Sequence, residues 1–369
     1  MQSRKLGETG VEVSVLGFGG FHLLEIPSAD ASRLLGTYLD RGGSYVETAA
    51  SYGNGISERK IGAAVSHRRE EYTLATKTTE RTKSGYLREI DRSLKNLKTD
   101  RLDIAFMHAV QNVEASEKIL APGGALEGAM EAKKAGKIRF IGITGHGQPD
   151  ALIAAVRAYR YDVLMTGFNY FDRFNFPTIE GELLPLCRDR GTGVLAMKAF
   201  GDGYLYRSAA PALRYALSLP VASVVAGMNT DQMLESNLAL VDSFVPMSQE
   251  ELSELYRTAP ELGDYVCRLC DSCNGSGFDP QSVFLLEGMF DRQMDAERVT
   301  DTALYALQER LKFWFDQRDR ARTEYAALRV KVDPERDYRE LNRSCPYQID
   351  IDRKLKIAHG KLSSDGYIY

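Results

Sequence analysis

From residue 14 onward the chain alternates short runs rich in valine, isoleucine and leucine with amphipathic segments, and it does so eight times. The apolar runs are VSVLGFG, SYVET, YTLATK, LDIAFMH, IRFIGIT, DVLMTGFN, GVLAMK and ASVVAG. Helical periodicity between and after them predicts helices near 28–40, 57–65, 84–97, 123–135, 149–159, 179–189, 208–218 and 230–240. Eight βα units within roughly 240 residues match an α/β fold of one kind, the closed (β/α)8 TIM barrel, which typically takes about 250. An open doubly wound sheet is the competing architecture. It usually has fewer strands and often a glycine-rich first turn, whereas the first strand here ends in GFGGFH, with no G-x-G-x-x-G match. The preceding RKLGETGVEVS reads as a small hairpin capping the barrel floor.

At 369 residues the chain is longer than one barrel needs. Its character changes after about residue 255, which divides it into a barrel over 1–255 and a mainly helical domain over 256–369. In the second part Leu304, Leu307, Leu311 and Trp314 recur at steps of three and four, predicting one long amphipathic helix over 299–328. A formal net charge of -4 gives no electrostatic footprint for nucleic acid. There is no apolar h-region at the start and no run long enough to span a membrane, so the expectation is a cytoplasmic protein that neither crosses nor anchors to one.

Barrel enzymes carry their reacting groups at the C-terminal ends of the strands and in the loops that follow. Glu47 ends the second run, Tyr52 lies in the loop after it, Lys77 ends the third and His108 ends the fourth. One rim would thus collect a carboxylate, a phenol, an ammonium and an imidazole. A phenol is a poor acid at neutral pH, and an adjacent ammonium makes it a better one by favouring the phenolate. A carboxylate would keep the lysine charged and aimed, and an imidazole can polarise the same substrate oxygen. Each residue alone would be unremarkable; on consecutive strands they form a candidate catalytic set.

The blocks RKLGETGVEVSVLGFGG, ETAASYGNGISERKIG, LATK, DIAFMH, IRFIGIT and VVAGMNTDQMLESNLAL, in that order over about residues 1–245, resemble the aldo-keto reductases. The resemblance implies a (β/α)8 barrel, a nicotinamide cofactor (NADP or NAD) bound without a Rossmann motif, and an Asp-Tyr-Lys-His tetrad acting on a small carbonyl or alcohol. Tyr52, Lys77 and His108 fall on the last three members, while Glu47 stands where the family has aspartate. The same resemblance puts the cofactor at the rim after the last four strands. There it assigns Thr144, His146 and Asn169 to the carboxamide region and Met197 to the face of the nicotinamide, with Lys198 beside it. It assigns Gly227, Asn229, Thr230, Gln232 and Asn237 to the adenosine-phosphate end, where Met233 replaces an arginine common in relatives that prefer NADP.

Four of the five cysteines follow residue 266, whereas Cys187 sits on an apolar helical stripe and reads as core. Cys267, Cys270 and Cys273 have C-x2-C-x2-C spacing, and Cys345 precedes a proline. In two-cluster bacterial ferredoxins the first trio shares its cluster with the distant cysteine of a C-P pair. Here that one ligand set is complete, while Gly277, Glu335, Tyr338 and Leu341 occupy all four positions of the other. The pattern predicts a ferredoxin-like domain with one [4Fe-4S] cluster, either structural or accepting electrons from an electron-transfer protein; zinc is the competing occupant. Two other functions compete with carbonyl reduction: an isomerase or lyase using Glu47 and Tyr52 as acid and base, and a non-catalytic electron-transfer protein.

Overall fold

In the computed structural model, which describes residues 1–146, 149–274, 278–291 and 317–363, the chain divides into two compact units. The first comprises Met1–Asn169 and Thr178–Met247, the second Tyr170–Pro177 and Ser248–Tyr369.

The first unit opens with an antiparallel hairpin, β1 (Ser3–Lys5) and β2 (Glu12–Ser14). Eight parallel strands follow: β3 (Leu16–Gly19), β4 (Tyr45–Glu47), β5 (Thr73–Thr78), β6 (Leu102–Met107), β7 (Ile138–Thr144), β8 (Val163–Gly167), β9 (Gly193–Met197) and β10 (Ser223–Gly227). They close into a barrel in chain order, with β10 pairing back onto β3. All eight apolar runs become strands, buried on both faces except at the start of β7, where Arg139 is exposed.

Tyr45, Ala75, Ile104, Phe106, Met165 and Leu195 fill the interior, and Leu6 and Val13 of the hairpin region join the same cluster. Gly7 explains how the hairpin seats so closely. It has φ +54°, and a Cβ there would lie 2.3 Å from the Gly193 nitrogen.

Several helices around the barrel carry side-chain caps. Thr82 accepts from Gly85 N–H before Lys83–Leu97, and Thr230 accepts from Met233 N–H before Asp231–Asp242. The helix Val113–Leu120, capped by Asn112, lies where no helix was expected from the sequence. Cys187 is buried as expected, and burial pushes its thiol up to about 12.

In the second unit, helices Pro280–Asp291, Arg318–Ala327 and Ile351–Ser363 pack around Val283, Phe284, Phe290, Tyr325, Tyr338 and Leu355. Residues 318–327 are helical within the expected 299–328 span, whereas Leu304, Leu307, Leu311 and Trp314 lie outside the described residues.

One ion network crosses this core. The fully buried Glu287 carboxylate takes Lys354 Nζ at 2.6 Å and Lys361 Nζ at 2.8 Å, and Tyr265 donates its hydroxyl to the same group. Burial alone would raise the Glu287 carboxyl, but the two lysines outweigh it and the result is lowered. Its contribution to stability is therefore present above the unfolded value of about 4.3 and lost as pH falls through and below it. Glu287→Gln would leave the Lys354 ammonium buried without its anion, whereas Lys361 keeps Asp291 at 2.7 Å. It is expected to destabilise the second unit by roughly 3–5 kcal/mol, measurable by chemical denaturation at neutral pH, with the difference from wild type shrinking in acid.

Among the described residues no helix is long and apolar enough to cross a membrane.

Candidate active site and four-cysteine cavity

At the C-terminal rim of the barrel, Lys77 Nζ lies 3.2 Å from the Tyr52 hydroxyl and 2.9 Å from the Thr48 carbonyl, and it forms an ion pair with Glu47 Oε2. The His108 ring stands 5.9 Å from the Tyr52 ring, edge to face. All four side chains are buried, with 2% to 8% of their surface exposed. The four groups predicted to share the rim are thus brought together, and water is largely kept from between them.

Local chemistry explains the placement. The β4 and β5 strands pair with Glu47 opposite Ala75, which sets Glu47 and Lys77 on adjacent strand ends. The loop carrying Tyr52 is tied down from Thr48 Oγ1 to Ser57 Oγ at 2.8 Å, and on to the Gly20 carbonyl at 2.6 Å. Gly20 permits this approach, since a Cβ there would come within 2.7 Å of the Glu47 carbonyl oxygen. Phe21 then packs its ring edge-on to Tyr52 at 5.1 Å. The extra methylene of Glu47, compared with aspartate, does not separate its carboxylate from Lys77.

Beyond β6, His108 leads into a strained turn in which Ala109 has φ +53°. Two residues hold that turn. One guanidinium nitrogen of Arg81 donates to the His108 carbonyl at 2.6 Å and to the Ala109 carbonyl at 3.1 Å. Thr144 Oγ1 accepts from Ala109 N–H at 3.1 Å. Arg81 was missed in the sequence, where a charged residue in a rim loop looks like any solvated one; its position just after β5 was the available signal.

The residues expected at the cofactor fall into two groups. The His146 ring lies 6.4 Å from that of His108, and Asn169 Nδ2 donates to the Lys198 carbonyl at 3.1 Å. Met197 ends β9 half-buried, and Lys198, at φ +58°, pairs with Asp202 at 3.0 Å. Around the end of β10, Gly227 is overlain by the His22 ring, and Asn229 Nδ2 donates to Glu25 at 2.6 Å. Asn229 Oδ1 is buried with no hydrogen-bond partner among the described residues. Thr230 is spent as the helix cap, Asn237 is buried on the same helix and Gln232 is exposed. Glu25 and Asp202 had no signal in the sequence beyond their rim location.

In the second unit Cys267, Cys270, Cys273 and Cys345 line one cavity of about 300 Å³, counted with its open mouth. The loop that carries the first three turns through left-handed backbone at Leu269 and Asp271, with φ 53° and 62°. Leu269 N–H points at Cys267 Sγ, 3.5 Å away. As free thiols, Cys267 is pushed up to about 11 by burial and Cys273 is raised for the same reason. Among the described residues, no group of three or more histidine, cysteine or acidic side chains forms a site for a metal ion.

Residues 15–211, more than half of the chain, match the model of the aldo/keto reductase family. The chain is 28% identical over 304 residues to L-galactose dehydrogenase of Arabidopsis thaliana, an alignment covering 69% of this chain and 93% of that protein. It is 27% identical over 234 residues to D-threo-aldose 1-dehydrogenase of a Pseudomonas species, covering 54% and 69%. The solved holo form of an aldo-keto reductase from Bacillus halodurans superposes with TM-score 0.60 at 25% identity, covering 69% of this chain and 95% of that one. A Klebsiella pneumoniae aldo-keto reductase solved with NADPH shares the fold, with TM-score 0.58 at 20% identity, covering 70% and 95%. A barrel closed by eight parallel strands, a family match over most of it and a dehydrogenase relative aligned along 93% of its length lead to one conclusion: the chain belongs to the aldo/keto reductase family and is an oxidoreductase of that type.

Proposed function

We propose that this protein is a nicotinamide-dependent reductase of a small carbonyl compound, or the dehydrogenase of the corresponding alcohol, with Tyr52 as the proton donor. The observation that carries this reading is the buried contact of the Tyr52 hydroxyl with Lys77, whose ammonium is in turn paired with Glu47.

A bound nicotinamide supplies or accepts the hydride. The protein's own residues manage the proton and the charge on oxygen. Tyr52 donates its hydroxyl proton to the carbonyl oxygen as that oxygen becomes an alkoxide. Lys77 favours the phenolate left behind, because a cation at hydrogen-bond distance stabilises the charged form. Glu47 and the Thr48 carbonyl hold the ammonium in place, and His108 faces the same oxygen as a second donor. In the reverse direction the phenolate takes the alcohol's proton.

The rim suits a dinucleotide: Asn229 Oδ1 is a buried acceptor left over by the protein, and Thr144, His146 and Asn169 supply polar atoms nearer the tetrad. Met233 takes away an arginine at the adenosine end, whereas Arg33 and Arg41 are exposed on a neighbouring element and already paired with Asp231 and Glu235. Both NADPH and NADH are therefore the ligands to titrate. Quenching or enhancement of nicotinamide fluorescence on titration, saturating at one per chain, supports the reading; no binding of either rejects it.

An isomerase or lyase reading uses Glu47 or Tyr52 as the base, and the Glu47 form of it needs a free carboxylate. The Glu47 carboxylate is instead engaged with Lys77, which counts against that role.

Positioning matters as much as identity. Arg81 holds the turn that aims His108, and a misplacement of about 1 Å can cost on the order of a hundredfold in rate. Arg81→Met is expected to lower kcat by roughly tenfold to a hundredfold with nicotinamide affinity retained, and Arg81→Lys to recover part of it. Steady-state kinetics beside a fluorescence titration checks both.

In the second unit we assign the four cysteines to one [4Fe-4S] cluster. Four thiols around one cavity, a loop bent around it through two left-handed residues and an N–H aimed at sulfur support this. Zinc also takes four thiolates and is the competing occupant; iron and acid-labile sulfide content tells the two apart. Such a cluster supplies one-electron redox capacity or holds the loop together. Hydride transfer moves an electron pair, so the two centres need no direct exchange.

A further inference from the structure

Arg268 is a buried guanidinium in the wall of the four-cysteine cavity, 6% exposed. Its hydrogen bonds go to backbone carbonyls: Tyr256 at 3.1 Å, Leu262 at 3.2 Å, Gly263 at 2.6 Å, and Val266. Its face covers the Tyr347 ring at 5.0 Å, and Tyr347 lines the same cavity. Among the described residues it makes no ion pair with a carboxylate.

The carbonyls satisfy its donors without supplying an anion, and a buried charge is expensive unless an anion stands close by. Asp264 acts on it from nearby; on the cavity wall itself the groups able to become anions are the four cysteines and the Tyr347 phenol, which burial holds towards its neutral form. Behind Phe284, another lining residue, Lys354 Nζ lies 5.0 Å from the ring centroid, although its charge is already shared with Glu287.

We propose that Arg268 is the charge partner of the four-cysteine centre, and that it raises the centre's reduction potential by stabilising the more negative, reduced state. The proposal rests on the assignment of the four cysteines to an iron–sulfur cluster. A cubane with four thiolates carries about two net negative charges, and about three after taking up one electron. The electron comes from an external one-electron donor, no proton moves, and Arg268 remains a guanidinium throughout. Adding the electron beside a fixed cation costs less than adding it in a neutral wall. Nearby charge is one of the factors that set cluster potentials.

The test uses the full chain prepared without oxygen, as wild type, Arg268→Gln and Arg268→Lys. Glutamine keeps hydrogen-bond donors for the carbonyls and removes the charge; lysine keeps the charge. Iron and sulfide are assayed first, and the cluster is then titrated with dithionite and viologen mediators, followed by visible absorption and electron paramagnetic resonance.

The glutamine variant is expected to need a more negative potential, with about a tenfold lower reduced-to-oxidised ratio at a fixed potential, equivalent to about 59 mV for one electron. The lysine variant is expected to stay near wild type. Loss of the cluster in the glutamine variant with retention in the lysine variant supports the same charge requirement. An unmoved potential in an intact glutamine variant overturns the proposal, as does equal loss of iron in both variants. A wild-type chain without iron or sulfide removes the cluster assignment itself, and the proposal with it.

Discussion

Replacing Tyr52 with phenylalanine is expected to lower kcat for carbonyl reduction by about 10²–10⁴-fold, the range for loss of a positioned acid, while nicotinamide binding survives. That is roughly 3–5 kcal/mol of transition-state stabilisation. The variant isolates the hydroxyl. A phenylalanine ring keeps the edge-on packing with Phe21 at 5.1 Å and with His108 at 5.9 Å, so the loop holding residue 52 has no reason to move. Lys77 loses one contact and retains Glu47 and the Thr48 carbonyl, leaving no ammonium stranded. Steady-state kinetics with a panel of small carbonyls, beside a fluorescence titration of NADPH or NADH, separates the two effects. Full activity in the phenylalanine variant would take the proton-donor role away from Tyr52.

The second large effect belongs to the other unit. Cys345→Ser removes the one ligand that comes from outside the C-x2-C-x2-C loop, and the cavity is then left with three thiols from one short stretch. Bound iron is expected to fall from about four per chain toward none, with loss of visible absorption. Because Cys267, Cys273 and Cys345 also pack against the unit's apolar core, losing the cluster should loosen that core as well. Thermal melting of the anaerobic sample, read beside iron and sulfide content, checks both consequences. Full iron in the serine variant would place the fourth ligand elsewhere.

The barrel was legible because its strands are mainly apolar, and such runs leave few alternatives once eight of them alternate with helical patterns. The tetrad was legible for a related reason. A polar residue at the end of a buried strand has the rim as its natural place, and Glu47, Lys77 and His108 each stand at such an end.

What escaped was whatever depends on contacts distant in sequence. Glu25 meets Asn229 across 204 positions, and nothing local to either marks the pair. Arg81 acts through carbonyl groups of another strand's turn, which carry no side-chain signature. The helix Val113–Leu120 lies outside the expected helices because eight residues hold barely two turns of apolar pattern, although Asn112 is an available cap signal. The replacement of aspartate by Glu47 was the sequence feature that left the chemistry most open, because one methylene can misplace a carboxylate by more than 1 Å. In the folded chain the Glu47 carboxylate still reaches Lys77.

The central claim is that the rim moves a hydride and a proton onto one carbonyl group. Its most direct test counts molecules: nicotinamide oxidised against alcohol formed, in one anaerobic sample with a carbonyl that the wild-type protein turns over. One alcohol produced for each NADPH or NADH consumed is the expected result. Product formed without net change in the nicotinamide would contradict it.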